Sequence, residues 1–365
     1  MSQANHGTLP VARTDEGKAF EKLYKELRGI AHSGDEEALA DWKEANEEVL
    51  NLKLSPSNVF HSDILTTMSV MFKNDELIWD RVMPMVTTNG QKGGEYWEYD
   101  RRDQLAFPDD AVSSEGEVNE LGANRTKGNY QLTERSLKER VALSVIKDQS
   151  APLNELMDAQ MHVLQGVEMN RELRVATKVG TSTAYGSNTV AIAAADRWDT
   201  ATGGNPGQVV DTARAAVWEG MGPGRWVLAT SLSVHNVLKR HPLILDTFKY
   251  GGNAPAFATR QMLAEYFEVD EYVVGKARKD TANINQTASY SRIWPDVLAL
   301  VRVAGAPSLR NAAFGYVLQD AATRQTMWFD NREGSEGMYT TRATRYDQEK
   351  VIAATCGYLI TTPIG

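Results

Sequence analysis

The chain has 365 residues, 42% hydrophobic and 24% charged, with a net charge of −9. That describes a soluble folded protein too long for one ordinary core, so two or more lobes are expected. The acidic balance excludes DNA binding by the whole surface, because phosphate contacts need Lys and Arg.

Cys356 is the single cysteine, which excludes an intramolecular disulfide and a Cys-rich metal site. Its apolar neighbours, VIAATCGYLI, mark a buried, inert thiol. No apolar run approaches the ~20 residues of a membrane span. The polar N-terminus lacks the apolar core of a signal peptide, so synthesis in the cytoplasm is expected.

Residues 1–14 read as a polar arm. Residues 15–52 read as two amphipathic helices, striped by Phe20, Leu23, Tyr24, Leu27 and Ile30, then by Leu39, Trp42, Val49 and Leu50. A linker leads into a helical or mixed segment from Ser62 to Trp79. EYWEYDRRD is strongly strand-forming, with Trp97, Tyr99 and Arg101 on one face and Tyr96, Glu98 and Asp100 on the other. A second strand-like run starts at Gly128, and the polar residues between form a long tip. Charged side chains recur on both faces of this hairpin. It cannot bury a core of its own, which predicts support from another subunit.

Residues 152–179 read as one long helix, with Pro152 in the first turn and Ser150 as cap. Leu153, Leu156, Met157, Met161, Leu164, Val167, Val175 and Val179 form its apolar stripe. Arg171 and Arg174 rotate onto that side late in the helix, so this part is expected beside other charged groups. A helix this long between β-rich stretches reads as a strut. From Gly207 a second lobe alternates helices (207–220, 231–238, 259–267) with strands (226–230 and the VDEYVVGKA, WPDVLALVRV, FGYVLQ and TMWF runs). The closing TTRATRYDQEKVIAATCGYLITTP reads as two strands returning to the long helix.

Chemical motifs are absent. GMGPGRW lacks the spacing and the strand-then-helix order of a phosphate loop, and reads as a helix stop and turn. The six histidines make no H-E-x-x-H pair, and no G-x-S-x-G elbow occurs. The tip carboxylates Asp109, Asp110, Glu115, Glu117 and Glu120 lack Ca²⁺-loop spacing. No catalytic residue, cofactor or metal is expected.

Five segments, in order, carry a resemblance: MFKNDELIWDRVMPMV (71–86), GGEYWEYDRRD (93–103), NRELRVATKV (170–179), HPLILDTFKYGG (241–252) and KVIAATCGYLITTP (350–363). With the order of elements, they resemble the major capsid proteins of tailed bacteriophages. The resemblance implies an α+β, Hong Kong 97-like capsid fold with a long spine helix, an extended β-hairpin loop, and peripheral and axial domains. The implied parts are an N-terminal arm with a helical hairpin (1–85), the extended loop (86–147) and spine helix with the first peripheral part (148–204). An axial domain (205–338) and the second peripheral part (339–365) complete them.

The implied function is structural. Copies assemble as hexamers and pentamers into an icosahedral shell around double-stranded DNA, in the host bacterial cytoplasm. Implied partners are the portal protein, scaffolding and cement proteins, and packaged DNA held without sequence-specific contact; no membrane is implied. Trp97 and Tyr99 are expected against a neighbouring subunit, with Arg101, Arg102, Glu134 and Arg135 around them. Some members lose an N-terminal scaffolding segment or crosslink a loop lysine. Residues 15–52 are short for the first, and no motif picks a partner for Lys92 or Lys127, so neither is expected. The alternatives are an encapsulin-like nanocompartment housing a cargo enzyme and an α/β enzyme whose site no motif reveals.

Overall fold

A computed structural model describes residues 77–99, 110–111, 118, 125–148, 154–200, 203–218, 224–249, 256–283, 286–305 and 313–365. The helices expected over 15–52 and most of the segment from Ser62 lie outside these residues.

In chain order the elements begin with α1 (Trp79–Val82), β1 (Met85–Thr87), β2 (Gly93–Tyr99), β3 (Arg125–Gln131) and β4 (Thr133–Ala142). Helices α2 (Leu143–Asp148) and α3 (Glu155–Val179) lead to β5 (Thr189–Ala191), α4 (Pro206–Trp218) and β6 (Gly224–Ser231). Next come α5 (Leu232–Leu238), α6 (Pro242–Lys249), α7 (Arg260–Tyr266) and β7 (Glu271–Gly275). The remaining strands are β8 (Arg278–Asp280), β9 (Tyr290–Arg292), β10 (Leu298–Ala304), β11 (Gly315–Gln319), β12 (Arg324–Asp330), β13 (Met338–Val351) and β14 (Gly357–Thr361).

The long helix is α3, 25 residues and about 37 Å in length. Its cap is Asn154, whose side chain accepts from the Met157 N–H at 3.2 Å, and not the expected Ser150. The buried stripe also differs. Leu156, Met157 and Met161 are half-buried, whereas Ala159, Gln160, Val163, Arg171 and Glu172 are buried. The reason is that α3 packs on two surfaces in succession. Val163, Leu164 and Val167 meet Ala343 of β13, and Val175, Ala176 and Val179 enter the core beneath the second sheet.

The first sheet is built on β13, 14 residues long. β12 and β11 pair successively along one edge, β4 pairs along the other, and β1 adds to β11 in parallel. The second sheet runs β5-β14-β10-β6-β7. Its central strands are apolar on both faces, as expected of strands covered twice. Val227, Ala229, Ala299 and Val301 face the α3 side; Leu228, Leu298 and Leu300 face Val210, Val217, Leu238 and Leu263 from the covering helices.

Sheet membership does not follow chain order. β5 and β14 join the sheet of β6 and β10, while β11 and β12 lie in the sheet of β4 and β13. The chain crosses between the two sheets several times. The run from Gly128 is likewise not one strand: it breaks at Leu132, β4 leaves the hairpin for β13, and residues 143–148 are helical. Helix α6, strands β1 and β5, and the β8/β9 ribbon were not anticipated.

Candidate assembly site

Three constructions hold the parts of this fold in register. The first is a buried ionic knot between α3 and β13. On β13, Arg345, Asp347 and Glu349 alternate with Tyr346 and Gln348, so period two sends all three to one face. On α3, Arg171 and Arg174 are three apart and share a face. Asp347 is fully buried and meets Arg171 Nε at 3.3 Å, Arg174 Nη2 at 3.0 Å and Arg345 Nε at 2.8 Å. Arg135 Nε of β4 stands 3.8 Å away. Glu349 accepts from Arg174 Nε at 2.8 Å, and Glu168 pairs with Arg345. Burial, then the neighbouring Arg171 guanidinium, pushes Arg345 down to about 10. This bears out the expectation that Arg171 and Arg174 lie beside charged groups.

The second construction is a clasp at Glu172. Its carboxylate accepts from the backbone N–H of Ile78 at 3.2 Å and of Trp79 at 2.9 Å, and from the Trp294 indole. The Arg171 guanidinium lies 4.6 Å above the Trp79 ring. The segment entering α1 is thereby fixed to the middle of the chain. Burial raises the Glu172 carboxyl above the usual carboxylate range, against the hydrogen bonds that lower it.

The third is the base of the β2/β3 ribbon. Tyr96 and Tyr130 are buried with Leu132, Tyr316 and Leu318. At Gly94 a Cβ would sit 2.7 Å from the Tyr130 hydroxyl, so only glycine allows the ring to lie there. The ribbon therefore does reach the subunit's own core at its base, contrary to the expectation that it buries none. Each strand contributes one aromatic to that cluster, Tyr96 from β2 and Tyr130 from β3. Farther out it carries exposed charge: Lys127 Nζ pairs with Glu95 at 2.9 Å, both side chains more than half exposed.

The expected contact residues fall in three places. Trp97 and Tyr99 stand on β2 opposite Lys127 and Arg125. Arg101 and Arg102 lie outside the described residues. Glu134 and Arg135 are at the start of β4 and have partners in the same chain: Glu134 accepts from the Tyr346 hydroxyl at 2.9 Å, and Arg135 reaches the ionic knot. Both lysines considered for crosslinking are engaged, Lys127 with Glu95 and Lys92 over the Tyr346 ring at 3.8 Å. Of the tip carboxylates Asp110 is exposed, and the others lie outside the described residues.

Cys356 is buried in the core with Val179 and Phe314. His235 is buried beside Tyr272, its Nδ1 3.2 Å from the phenol oxygen. Burial, then Arg260, Lys239 and Lys276, lowers it to about 4. Among the described residues no three His, Cys, Asp or Glu side chains are placed to hold a metal ion, and no helix is long and apolar enough to cross a membrane.

No protein-family model matches the chain. The major capsid protein of Pseudomonas phage JBD67 is 23% identical over 273 residues, covering 74% of this chain and 84% of that protein. A phage-related protein from Bordetella bronchiseptica RB50 superposes with a TM-score of 0.65 at 22% identity, over 83% of this chain and 97% of that one. A chain of the capsid structure of cyanophage P-SCSP1u superposes with a TM-score of 0.53 at 10% identity, over 87% and 93%. The chain has the α+β Hong Kong 97-like capsid fold and is similar over most of its length to a phage major capsid protein.

Proposed function

We propose that this chain is the major capsid protein of a tailed phage, a structural subunit that assembles with copies of itself into an icosahedral shell. The observation that carries this is the joint match of fold and of sequence over three quarters of the chain. The internal construction supports it. The buried side chains build ionic and apolar clamps between α3 and the two sheets, and Tyr96 and Tyr130 anchor the base of the β2/β3 ribbon. Such internal clamps suit a wall subunit that keeps its own fold while it meets the next copy.

In this reading the shell is made of hexamers and pentamers, encloses double-stranded DNA, and is assembled in the host bacterial cytoplasm. The net charge of −9 favours a wall that does not adhere to DNA. A portal protein, with scaffolding or cement proteins, would complete the particle, and the chain itself does no catalysis. An encapsulin-like compartment rests on the same fold and has no observation of its own in its favour.

Trp97 and Tyr99, with Arg101, Arg102, Glu134 and Arg135, are proposed as intersubunit contacts. Aromatic and Arg residues are the usual interface anchors, and truncating one costs on the order of 2 kcal/mol per contact. The test is Trp97→Ser, comparing circular dichroism with particle yield. A folded subunit that fails to assemble is the expected outcome. Normal particles, or an unfolded subunit, would refute the assignment.

A further inference from the structure

The β8/β9 ribbon holds a local conflict. Each strand is three residues long and, among the described residues, pairs only with the other, an arrangement marginal in water. In its register Arg278 stands directly opposite Arg292, and like charges so placed repel. Both side chains are exposed. Asp280 shares their face and offsets part of that charge, while its Oδ1 closes the tip by accepting from Ala282 N and Ser289 N, both at 2.9 Å. Arg292 comes within 4.0 Å of Asp296, whose Oδ1 also accepts from Ser231, and Arg278 has no acidic partner among the described residues. On the same face Tyr290 is 69% exposed. An arginine pair beside an exposed tyrosine has the composition of an interface core.

The complement lies at the other end of edge strand β7. The ribbon leaves the carboxyl end of β7, and at the amino end Asp211, Glu265 and Glu268 are exposed. Arg214 bonds both Asp211 and Glu268, and Glu265 takes a hydrogen bond from Gln261. The five residues of β7 span about 16 Å, so basic and acidic faces are well separated on one subunit. Complementary faces at opposite ends of a subunit make a head-to-tail contact, which closes into a ring when the rotation allows.

We infer that the Arg278, Arg292 and Tyr290 face of this ribbon docks on the Asp211 and Glu265 end of a second copy of this chain. The inference rests on the shell-forming reading and specifies one contact within it. A facing carboxylate surface removes the repulsion between the two guanidinium groups and covers Tyr290.

The test uses the full chain, treated with nuclease, and reads oligomers by sedimentation and particles by negative stain. Arg278→Glu with Arg292→Glu should lower assembled material at least about tenfold while circular dichroism is unchanged. Asp211→Lys with Glu265→Lys should do the same, and mixing the two variants should restore six-membered rings, in which the two can alternate. Tyr290→Ala, which changes no charge, should also weaken it. A ribbon variant that assembles like wild type overturns the inference, as does failure of the mixture to rescue. Loss of bound nucleic acid from normally formed particles would mark a polyanion site and overturn it too. A wild-type chain that stays monomeric overturns the shell reading with it, whereas wild-type shells with an indifferent ribbon overturn only this contact.

Discussion

The backbone N–H of Trp79 donates a 2.9 Å hydrogen bond to the Glu172 carboxylate, in the second half of the long helix, joining positions 93 residues apart. With Ile78 N and the Trp294 indole, it makes Glu172 the point where three remote segments meet. Burial raises this carboxyl above its usual range. A raised folded value means that the native state holds the proton more tightly than the unfolded chain. The corresponding stability is full below the ordinary carboxylate value near 4.5 and is lost as pH rises through the folded value. Glu172→Gln should abolish that slope, read from denaturation midpoints between pH 4 and pH 8. An unchanged slope would contradict the assignment.

Asp347 faces Arg171, Arg174 and Arg345 at 3.3 Å or closer. Removing a buried carboxylate leaves guanidinium groups that water cannot reach, at a cost of about 3–5 kcal/mol. Asp347→Asn should lose that much in urea denaturation. A loss below about 1 kcal/mol, the value of a surface pair, would mean that solvent screens the knot.

Neighbouring aromatics on β2 should behave oppositely. Tyr96 is buried against Tyr130 and Tyr316, so Tyr96→Ala should destabilise the subunit by roughly 3 kcal/mol. Trp97→Ser should leave subunit stability within about 0.5 kcal/mol and act on assembly. Equal destabilisation by both would place Trp97 in the subunit's own core.

His235 is lowered to about 4 by burial and by Arg260, Lys239 and Lys276. For a depressed histidine, stability is present above the unfolded value near 6.5 and is lost as pH falls through about 4. This has the opposite sign to Glu172 in an overlapping window, so only single variants separate them. Nuclear magnetic resonance of the imidazole should show no titration at pH 6, and a midpoint there would refute the burial.

Local chemistry made much of the second lobe readable. Helices α5 and α7 begin where the sequence places them, with Ser231 and Thr259 as caps, and both-face apolar runs such as LALVRV lie at the centre of a covered sheet. Sheet membership was not readable. β5 and β14 are short and join a strand more than a hundred residues away from β5, which no periodicity encodes. The ionic knot was half visible. Arg171 and Arg174 turn inward on the wheel, but their partners at Asp347 and Glu349 emerge only when β13 lies along α3. Strand alternation places Tyr96 on one face with Glu98 and Asp100. Its burial depends on Tyr316 and Leu318, which the fold brings there. The intersubunit role of Trp97 depends on other copies, beyond what one chain displays.

The central claim is self-assembly, and cryo-electron microscopy of the purified full chain tests it directly. Closed icosahedral particles built from this one chain, with the 155–179 helix lying within the wall, are the predicted result. A chain that remains monomeric at every concentration and salt condition would contradict it.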